Sequence, residues 1–328
     1  MNLSQMRMAV RDILTAGQGN NSAINDDPFW TDIEINYNIN RAQAEVYKII
    51  RRARADYFTR ILRSTDSPFR INGADFDPAT LRWVAGQGNY VMPPDFVRMK
   101  MITDLSSQRV RLSASDVSKH EFRILLNSQS SGNGAEFLYD ILGVRTLVIR
   151  PFPSDERDFE YIYEKTLPLL RDYTVTQALV IQESTAVAVG DGQTANIRVG
   201  DEIIVGTTAA AAKADPNKHY TAVKSIDSAF QVTLEGLSDV NNSDMAGNGG
   251  AGYVTFSSVS EIPLVHHDML VCLAASFCFA KGTNPSTEGV ELWRGQYDSM
   301  IPALVNDVES RQGSDIETVE AYMEDMYD

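Results

Sequence analysis

Leu3, Met6, Val10, Ile13 and Leu14 recur at steps of three and four, which predicts a short amphipathic helix with Ser4 placed to cap it. Gly17-Gln18-Gly19-Asn20-Asn21 ends that helix and opens a loop. A longer helix begins at Thr31-Asp32-Ile33-Glu34, a pattern in which a hydroxyl and a carboxylate satisfy the open N–H groups of the first turn. Ile35, Ile39, Ala42, Val46, Ile49, Ala53, Tyr57 and Ile61 carry its apolar stripe onward for about seven turns. Arg41, Lys48, Arg51, Arg52, Arg54, Arg60 and Arg63 occupy the opposite face.

From Phe69 to Lys165 the period shortens toward two, with strands predicted at Leu81–Val84, Asn89–Met92, Val97–Ile102, Phe137–Leu142, Val144–Arg150 and Phe159–Glu164. A short helix is predicted at Ser115–Leu126, and Pro93-Pro94 and Pro151-Phe152-Pro153 mark corners. Residues 172–257 are poorer in charge and rich in Gly, Ala, Thr and Val. Short strands are predicted there at Val187–Val189, Asn196–Val199, Glu202–Val205, Tyr220–Ser225 and Phe230–Leu234, a small all-β module, barrel or sandwich. Helix returns from Leu264 to Ala280, and again from Ser286 or Thr287 through Val308, where Pro302 is expected to kink or divide it. The predicted class is α+β: a helical core with mixed strands from residues 1–171 and 258–328, the β module inserted at 172–257, and an acidic tail at 313–328.

Composition narrows the picture. With 43% hydrophobic and 22% charged residues, the 328-residue chain holds enough apolar material for a real core, which excludes wholesale disorder. The net charge of −15 argues against nucleic-acid binding by counterion release. The charge is polarised: residues 1–150 carry 19 Lys/Arg against 16 Asp/Glu, which leaves 10 against 28 for the remainder. Such asymmetry suits contact with different neighbours, or with copies of the same chain, as well as plain solubility. Cys272 and Cys278 stand about 600° apart around one helix, so they cannot pair within it and read as small buried hydrophobes of a reducing compartment. The first residues lack the charged-then-apolar order of a signal peptide, and the apolar run Met269–Ala280 is too short to span a bilayer.

Candidate chemistry is sparse. The chain has no G-x-S-x-G, no P-loop, no paired C-x-x-C and no H-x-x-x-H or H-E-x-x-H spacing, so no catalytic, cofactor or metal residues are assigned. His266-His267-Asp268 is the most suggestive cluster, but adjacent histidines on a helix diverge by about 100° and rarely share an ion. There Asp268 suits the helix dipole, while one histidine packs. His120 and His219 have no partners in sequence. Glu156, Asp158 and Glu160 alternate at roughly 7 Å, a glycosidase-like separation, yet alternation is equally that of a solvated strand face. Gly190-Asp191-Gly192 reads as a hairpin turn rather than a calcium loop. The arginine face of residues 41–63 has no interleaved aromatic platform for nucleic acid.

Four landmarks, in order, resemble the head-to-tail adaptor (connector) proteins of tailed phages. These are Phe29-Trp30-Thr31-Asp32 leading to Ile39-Asn40-Arg41-Ala42, and Tyr90-Val91-Met92-Pro93-Pro94-Asp95-Phe96. Leu147 to Pro153 followed by Tyr161-Ile162-Tyr163 is the third, and Ile262-Pro263-Leu264-Val265-His266-His267-Asp268 before an Ala-rich helix is the fourth. The resemblance implies a structural virion protein, not an enzyme, made in the host cytoplasm and forming a ring, commonly of twelve copies, between the portal protein and a tail tube or nozzle protein. DNA would pass through its channel without specific binding. No cofactor and no membrane are implied. On this reading Arg51, Arg52 and Arg54 meet an acidic face of the next subunit, Ile316, Val319, Tyr322 and Met323 dock on the portal, and the β module is free to seat tail fibres. A tail-associated peptidoglycan hydrolase and a receptor- or glycan-binding tail protein are the alternatives.

Overall fold

The computed structural model describes residues 1–16, 30–71, 74–105, 113–114, 137–150, 155–180, 186–188, 197–206, 219–228, 231–235, 252–281 and 286–310. They divide into two compact units, Met1–Ala55 with Leu169–Asp328, and Asp56–Pro168. Residues 56–168 close on a hydrophobic cluster of their own.

Helix α1, Leu3–Ala16, buries Leu3, Met6, Val10 and Leu14. Its cap is Asn2, not Ser4. Asn2 Oδ1 accepts from the Gln5 N–H at 2.9 Å, and Gln5 Oε1 accepts from the Asn2 N–H at 3.0 Å. Ser4 lies inside the first turn, where its N–H donates to Ser257 Oγ at 3.1 Å. Helix α2, Asp32–Ala53, has the predicted Thr31/Glu34 capping box and buries Ile35, Ile39, Ala42, Val46 and Ile50. It is shorter than its stripe predicted. Arg54 turns extended, and Thr59–Arg63 forms a strand, so Tyr57, Arg60, Ile61 and Arg63 are not helical. Here the alternation Phe58, Leu62 in, Ile61 out fits a pleated ladder, and long-range pairing overrides the local helical spacing.

A 3-10 turn, Leu264–His266, leads into α3, His267–Phe279, which is buried on nearly every face. Helix α4, Thr287–Ser310, runs through Pro302 without division, because Tyr297 on one side and Leu304 and Val308 on the other are all buried and hold both halves in place. Helices α2 and α3 are antiparallel: Glu34 meets Lys281, Asn38 donates to Cys278 Sγ at 3.2 Å, and the Arg41 guanidinium lies 4.0 Å from the Phe277 ring centre. Helices α3 and α4 are antiparallel too, with Phe279 against Gly289 and His266 against Asp307. A Cβ on Gly289 would sit 2.9 Å from the Phe279 ring, so this crossing is built for glycine.

Among the described residues the unit Asp56–Pro168 contains nine strands: β1 Thr59–Arg63, β2 Phe69–Ile71, β3 Ala74–Phe76, β4 Asn89–Val91, β5 Phe96–Asp104, β6 Ser113–Ala114, β7 Leu138–Leu142, β8 Thr146–Arg150 and β9 Phe159–Lys165. They form sheets β1-β9-β5 and β4-β8-β7-β6 and a β2-β3 hairpin. Five of the six predicted strands lie at or within two residues of observed ones. The sixth, Leu81–Val84, is instead the end of a 3-10 turn, Pro78–Leu81, followed by a single bridge from Trp83 to Arg157. Asp77 caps the turn through the Ala79 N–H, and Pro78 presets its φ. The predicted helix at 115–126 and the corner at 151–153 lie outside the described residues.

The remaining strands are β10 Asp172–Val180, β11 Ala186–Ala188, β12 Glu202–Gly206, β13 His219–Ser228, β14 Gln231–Leu234 and β15 Gly252–Ser257. They close into a barrel in the order β10-β11-β14-β13-β12-β15 around Ile197, Ile203, Val223, Val232, Val254 and Phe256. Closure removes exposed sheet edges. Of the predicted strand Asn196–Val199, the described residues Ile197 and Arg198 belong to no regular element and Val199 opens a turn. Gly200, at φ 89°, supplies its left-handed step.

Candidate functional site

Each chemically suggestive residue among the described ones is engaged by the fold. His267 is buried with Nε2 2.8 Å from the Ile262 carbonyl and Nδ1 2.8 Å from the Met1 amine, and burial lowers its pKa. The His266 ring reaches Asp307 at 3.2 Å, in a different direction, and Asp268 sits in the first turn of α3. The pair is therefore split between two structural contacts. Among the described residues no group of three His, Cys, Asp or Glu is placed to hold a metal. Cys272 and Cys278 are both buried and unpaired as thiols, and burial raises both, Cys272 to about 11. Such thiols are poor nucleophiles.

The alternating carboxylates meet arginines. Arg82 bridges Asp158 at 3.2 Å and Glu156 at 3.8 Å, Arg63 Nε donates to Glu160 at 2.8 Å, and Asp158 also accepts from the Ser64 hydroxyl at 3.0 Å. Surface pairs of this kind contribute little stability each, about 0–1 kcal/mol. They do take up the carboxylates that a hydrolytic pair would need. Gly190-Asp191-Gly192, His120 and the side chain of His219 lie outside the described residues, as do Ile316, Val319, Tyr322 and Met323.

The landmark residues turn out to be framework. Tyr90 donates to the Gln87 carbonyl at 3.1 Å and accepts from the Val84 N–H at 3.3 Å, closing the turn before β4. Asp95 is buried at the corner into β5. It accepts from the Tyr163 hydroxyl at 3.0 Å and pairs with Arg60 at 2.8 Å; burial raises its pKa in spite of that arginine. Tyr161 donates to the Leu81 carbonyl at 2.6 Å from a fully buried position. These motifs specify how β4, β5, β8 and β9 are tied together.

A second buried polar centre, invisible to local pattern, joins α1 to the barrel. Asp172 Oδ2 pairs with Arg7 at 2.6 Å and accepts from Ser4 Oγ at 3.1 Å, while Oδ1 accepts from Ser257 Oγ at 2.6 Å. Asn2 Nδ2 donates to Glu202 at 2.8 Å beside it. The partners stand up to 253 residues apart, so only the fold brings them together.

Asp201, in the turn before β12, is buried and pushed up to about 6 by desolvation, which outweighs the Arg198 N–H at 2.9 Å and the charges of Arg198 and Arg171. The folded chain therefore keeps a proton that the unfolded chain has lost above its ordinary carboxylate pKa near 4. Stability from this group is highest below that value and falls as pH rises toward 6. His267, lowered by burial, works in the opposite sense, losing stability as pH drops below its ordinary value. A difference measurement separates them: relative to Asp201→Asn, the unaltered chain gains about 2 kcal/mol between pH 7 and pH 4. Urea unfolding at several pH values checks it, and a constant difference contradicts the assignment.

Arg51 and Arg52 form the exposed last turn of α2, where cations complement the helix dipole, and Arg54 is the C-cap residue with its N–H on the Ile50 carbonyl. On the same helix Ile33 and Tyr37, one turn apart, are 81% and 68% exposed. They begin an exposed face that continues through Arg41 and Lys48 to Arg52. No described helix is long and apolar enough to cross a membrane.

The family model described as SU10 adaptor protein matches residues 1–191, more than half of the 328-residue chain. The match takes in α1, α2 and all of Asp56–Pro168, and stops within the barrel. No curated protein matches the chain.

Proposed function

This chain belongs to the SU10 adaptor protein family, a family of phage structural adaptors, and from that premise we propose that it assembles as a ring between the portal vertex and the tail tube or nozzle of a virion. Twelve copies is the expected number, with a channel through which the genome passes. The observation that carries this reading is the family match across α1, α2 and the strand unit, in which the landmark residues are framework and the exposed face of α2 is left for neighbours. An apolar start and a basic end on one helix face suit heterologous contact, where one patch of each copy meets a different patch of the next. Arg51, Arg52 and Arg54 are the basic end of that contact. The barrel of 172–257 offers a separate surface for tail fibres, and the segment carrying Ile316, Val319, Tyr322 and Met323 docks on the portal.

The test is the native mass of the purified protein alone and with portal. A ring, or a stoichiometric portal complex, is expected, and a monomer under both conditions overturns the proposal. Reversing the three arginines (Arg51→Glu, Arg52→Glu, Arg54→Glu) is expected to abolish the ring while leaving the circular dichroism spectrum unchanged. Rings that form normally from this variant remove the arginines from the interface.

A further inference from the structure

Helix α4 holds a glycine that its own subunit does not explain. Gly295 lies well inside the helix, where glycine is the weakest helix former after proline. A Cβ there would meet no atom of the described residues within 4 Å. Gly295 stands at the centre of the exposed face of α4, opposite the buried Tyr297, Leu304 and Val308, with Glu288, Glu291, Leu292 and Asp298 around it. Helix α2 presents a matching stripe of Ile33, Tyr37, Arg41, Ala44 and Lys48, spaced by three and four and all exposed. Ala44 is the small residue of that stripe. Ile33, Tyr37 and Leu292 are 81%, 68% and 61% exposed, so each stripe also leaves large apolar groups in water.

The two stripes fall into step. Both helices are antiparallel to α3 and so parallel to each other. Phe279 of α3 packs on Gly289, and the same level of α2 lies between Glu34, paired with Lys281, and Asn38, bonded to Cys278, which sets Tyr37 level with Gly289. Counting on at ~1.5 Å per residue, Ala44 comes level with Gly295, Arg41 with Glu291 and Leu292, and Lys48 with Asp298, each within about a turn. A closed ring relates its copies by rotation without rise, so groups that meet between helices running along its axis share a level. Resting on the ring proposed above, we infer that the acidic face met by α2 is α4 of the next copy. Ala44 seats at Gly295, Tyr37 lies on Leu292, and Arg41 and Lys48 face Glu291 and Asp298. Lys48 and Asp298 hold exposed pairs within their own helices, to Glu45 and Arg294, which are weak enough to be exchanged. The Arg41 guanidinium keeps its face on the Phe277 ring and offers its N–H edge. The glycine lets the two backbones come close, the use that its own subunit leaves unfilled.

The experiment uses the full chain under the condition, alone or with portal, in which the ring forms. Ala44→Cys and Gly295→Cys are made as separate proteins, mixed, treated with oxidised glutathione and mapped by peptide mass. An intermolecular 44–295 link is expected, and neither protein alone should give a 44–44 or 295–295 link. Adding Arg41→Glu and Lys48→Glu to the Ala44→Cys partner should lower the yield at least fivefold. Adding Glu291→Lys and Asp298→Lys to the Gly295→Cys partner should then restore it to within twofold. Gly295→Leu in the otherwise unaltered chain should lower the ring fraction at least tenfold and leave the circular dichroism spectrum unchanged, since the new side chain points into open space in its own subunit. A ring that gives no 44–295 link, or that tolerates Gly295→Leu, overturns this contact while the ring itself stands. Links of 44–44 or 295–295 overturn it in favour of a two-fold contact, and a yield indifferent to charge reversal overturns the charge pairing. A chain that stays monomeric both alone and with portal removes the ring, and this contact with it.

Discussion

Asp172→Ala is expected to lower the unfolding free energy of the helix-and-barrel unit by about 3–5 kcal/mol, the usual cost of leaving a buried charge without its partner. The side chains of Asp172 and Arg7 are only 7% and 6% exposed, and their oxygen–nitrogen separation is 2.6 Å. Losing the carboxylate also frees the hydroxyls of Ser4 and Ser257, each of which donates to it. Arg7 keeps a weaker contact, 3.6 Å to Asp32, whose side chain is half exposed, so part of the charge is still compensated. That places the loss toward the lower part of the range. The pair as a whole contributes much less than either single change suggests, because two desolvated ions replaced by apolar groups of similar volume leave nothing unpaired. Arg7→Met with Asp172→Leu should therefore recover most of what Asp172→Ala loses. Urea unfolding followed by tryptophan fluorescence in a Trp83→Phe background, where Trp30 and Trp293 are the remaining tryptophans, reports this unit. A single change costing under 1 kcal/mol, or a double change costing the sum of both singles, contradicts the argument.

That centre also shows why sequence reading reached some parts of this molecule and not others. The Thr31/Glu34 capping box, the buried face of α2 and the hairpin strands β7 and β8 are set by neighbours within a few residues, and each was legible. The end of α2 was not, because Thr59–Arg63 takes its conformation from β9, a hundred residues away. Ser4 looked like a cap since the residue type is right, yet Asn2 with Gln5 makes the reciprocal bonds and Ser4 turns to Asp172. Strands β10 and β15 went unassigned for the same reason as the Arg7–Asp172 pair: their partners are each other, about 80 residues apart. The landmark motifs were legible as a family signature, but their physical role, a buried Asp95 held by Arg60 and Tyr163, was visible only in the fold.

The strand unit supplies the second large effect. Trp83→Ala is expected to cost about 3–5 kcal/mol, as for other fully buried large aromatics. Trp83 is 0% exposed, stacked on Phe159 with ring centres 3.8 Å apart and 22° between planes, and edge-on to Phe137 at 5.1 Å. Its backbone makes both bonds of the bridge to Arg157, at 2.9 and 3.1 Å, so the side chain and the bridge hold one corner together. Each aromatic pair adds roughly 0.5–1.5 kcal/mol beyond area burial. Trp83→Phe, which keeps stacking on Phe159 but leaves a smaller void, should cost less than half as much. Because Leu62, Tyr90, Phe96, Ile149, Tyr161 and Tyr163 share this cluster, the damage should spread through Asp56–Pro168. Hydrogen exchange resolved by peptide checks this: amides of β5, β8 and β9 should lose protection, while those of α3 and the barrel keep theirs. Equal loss everywhere would mean that the two units unfold as one. Unchanged protection in β9 would mean that Trp83 is not the anchor of its corner.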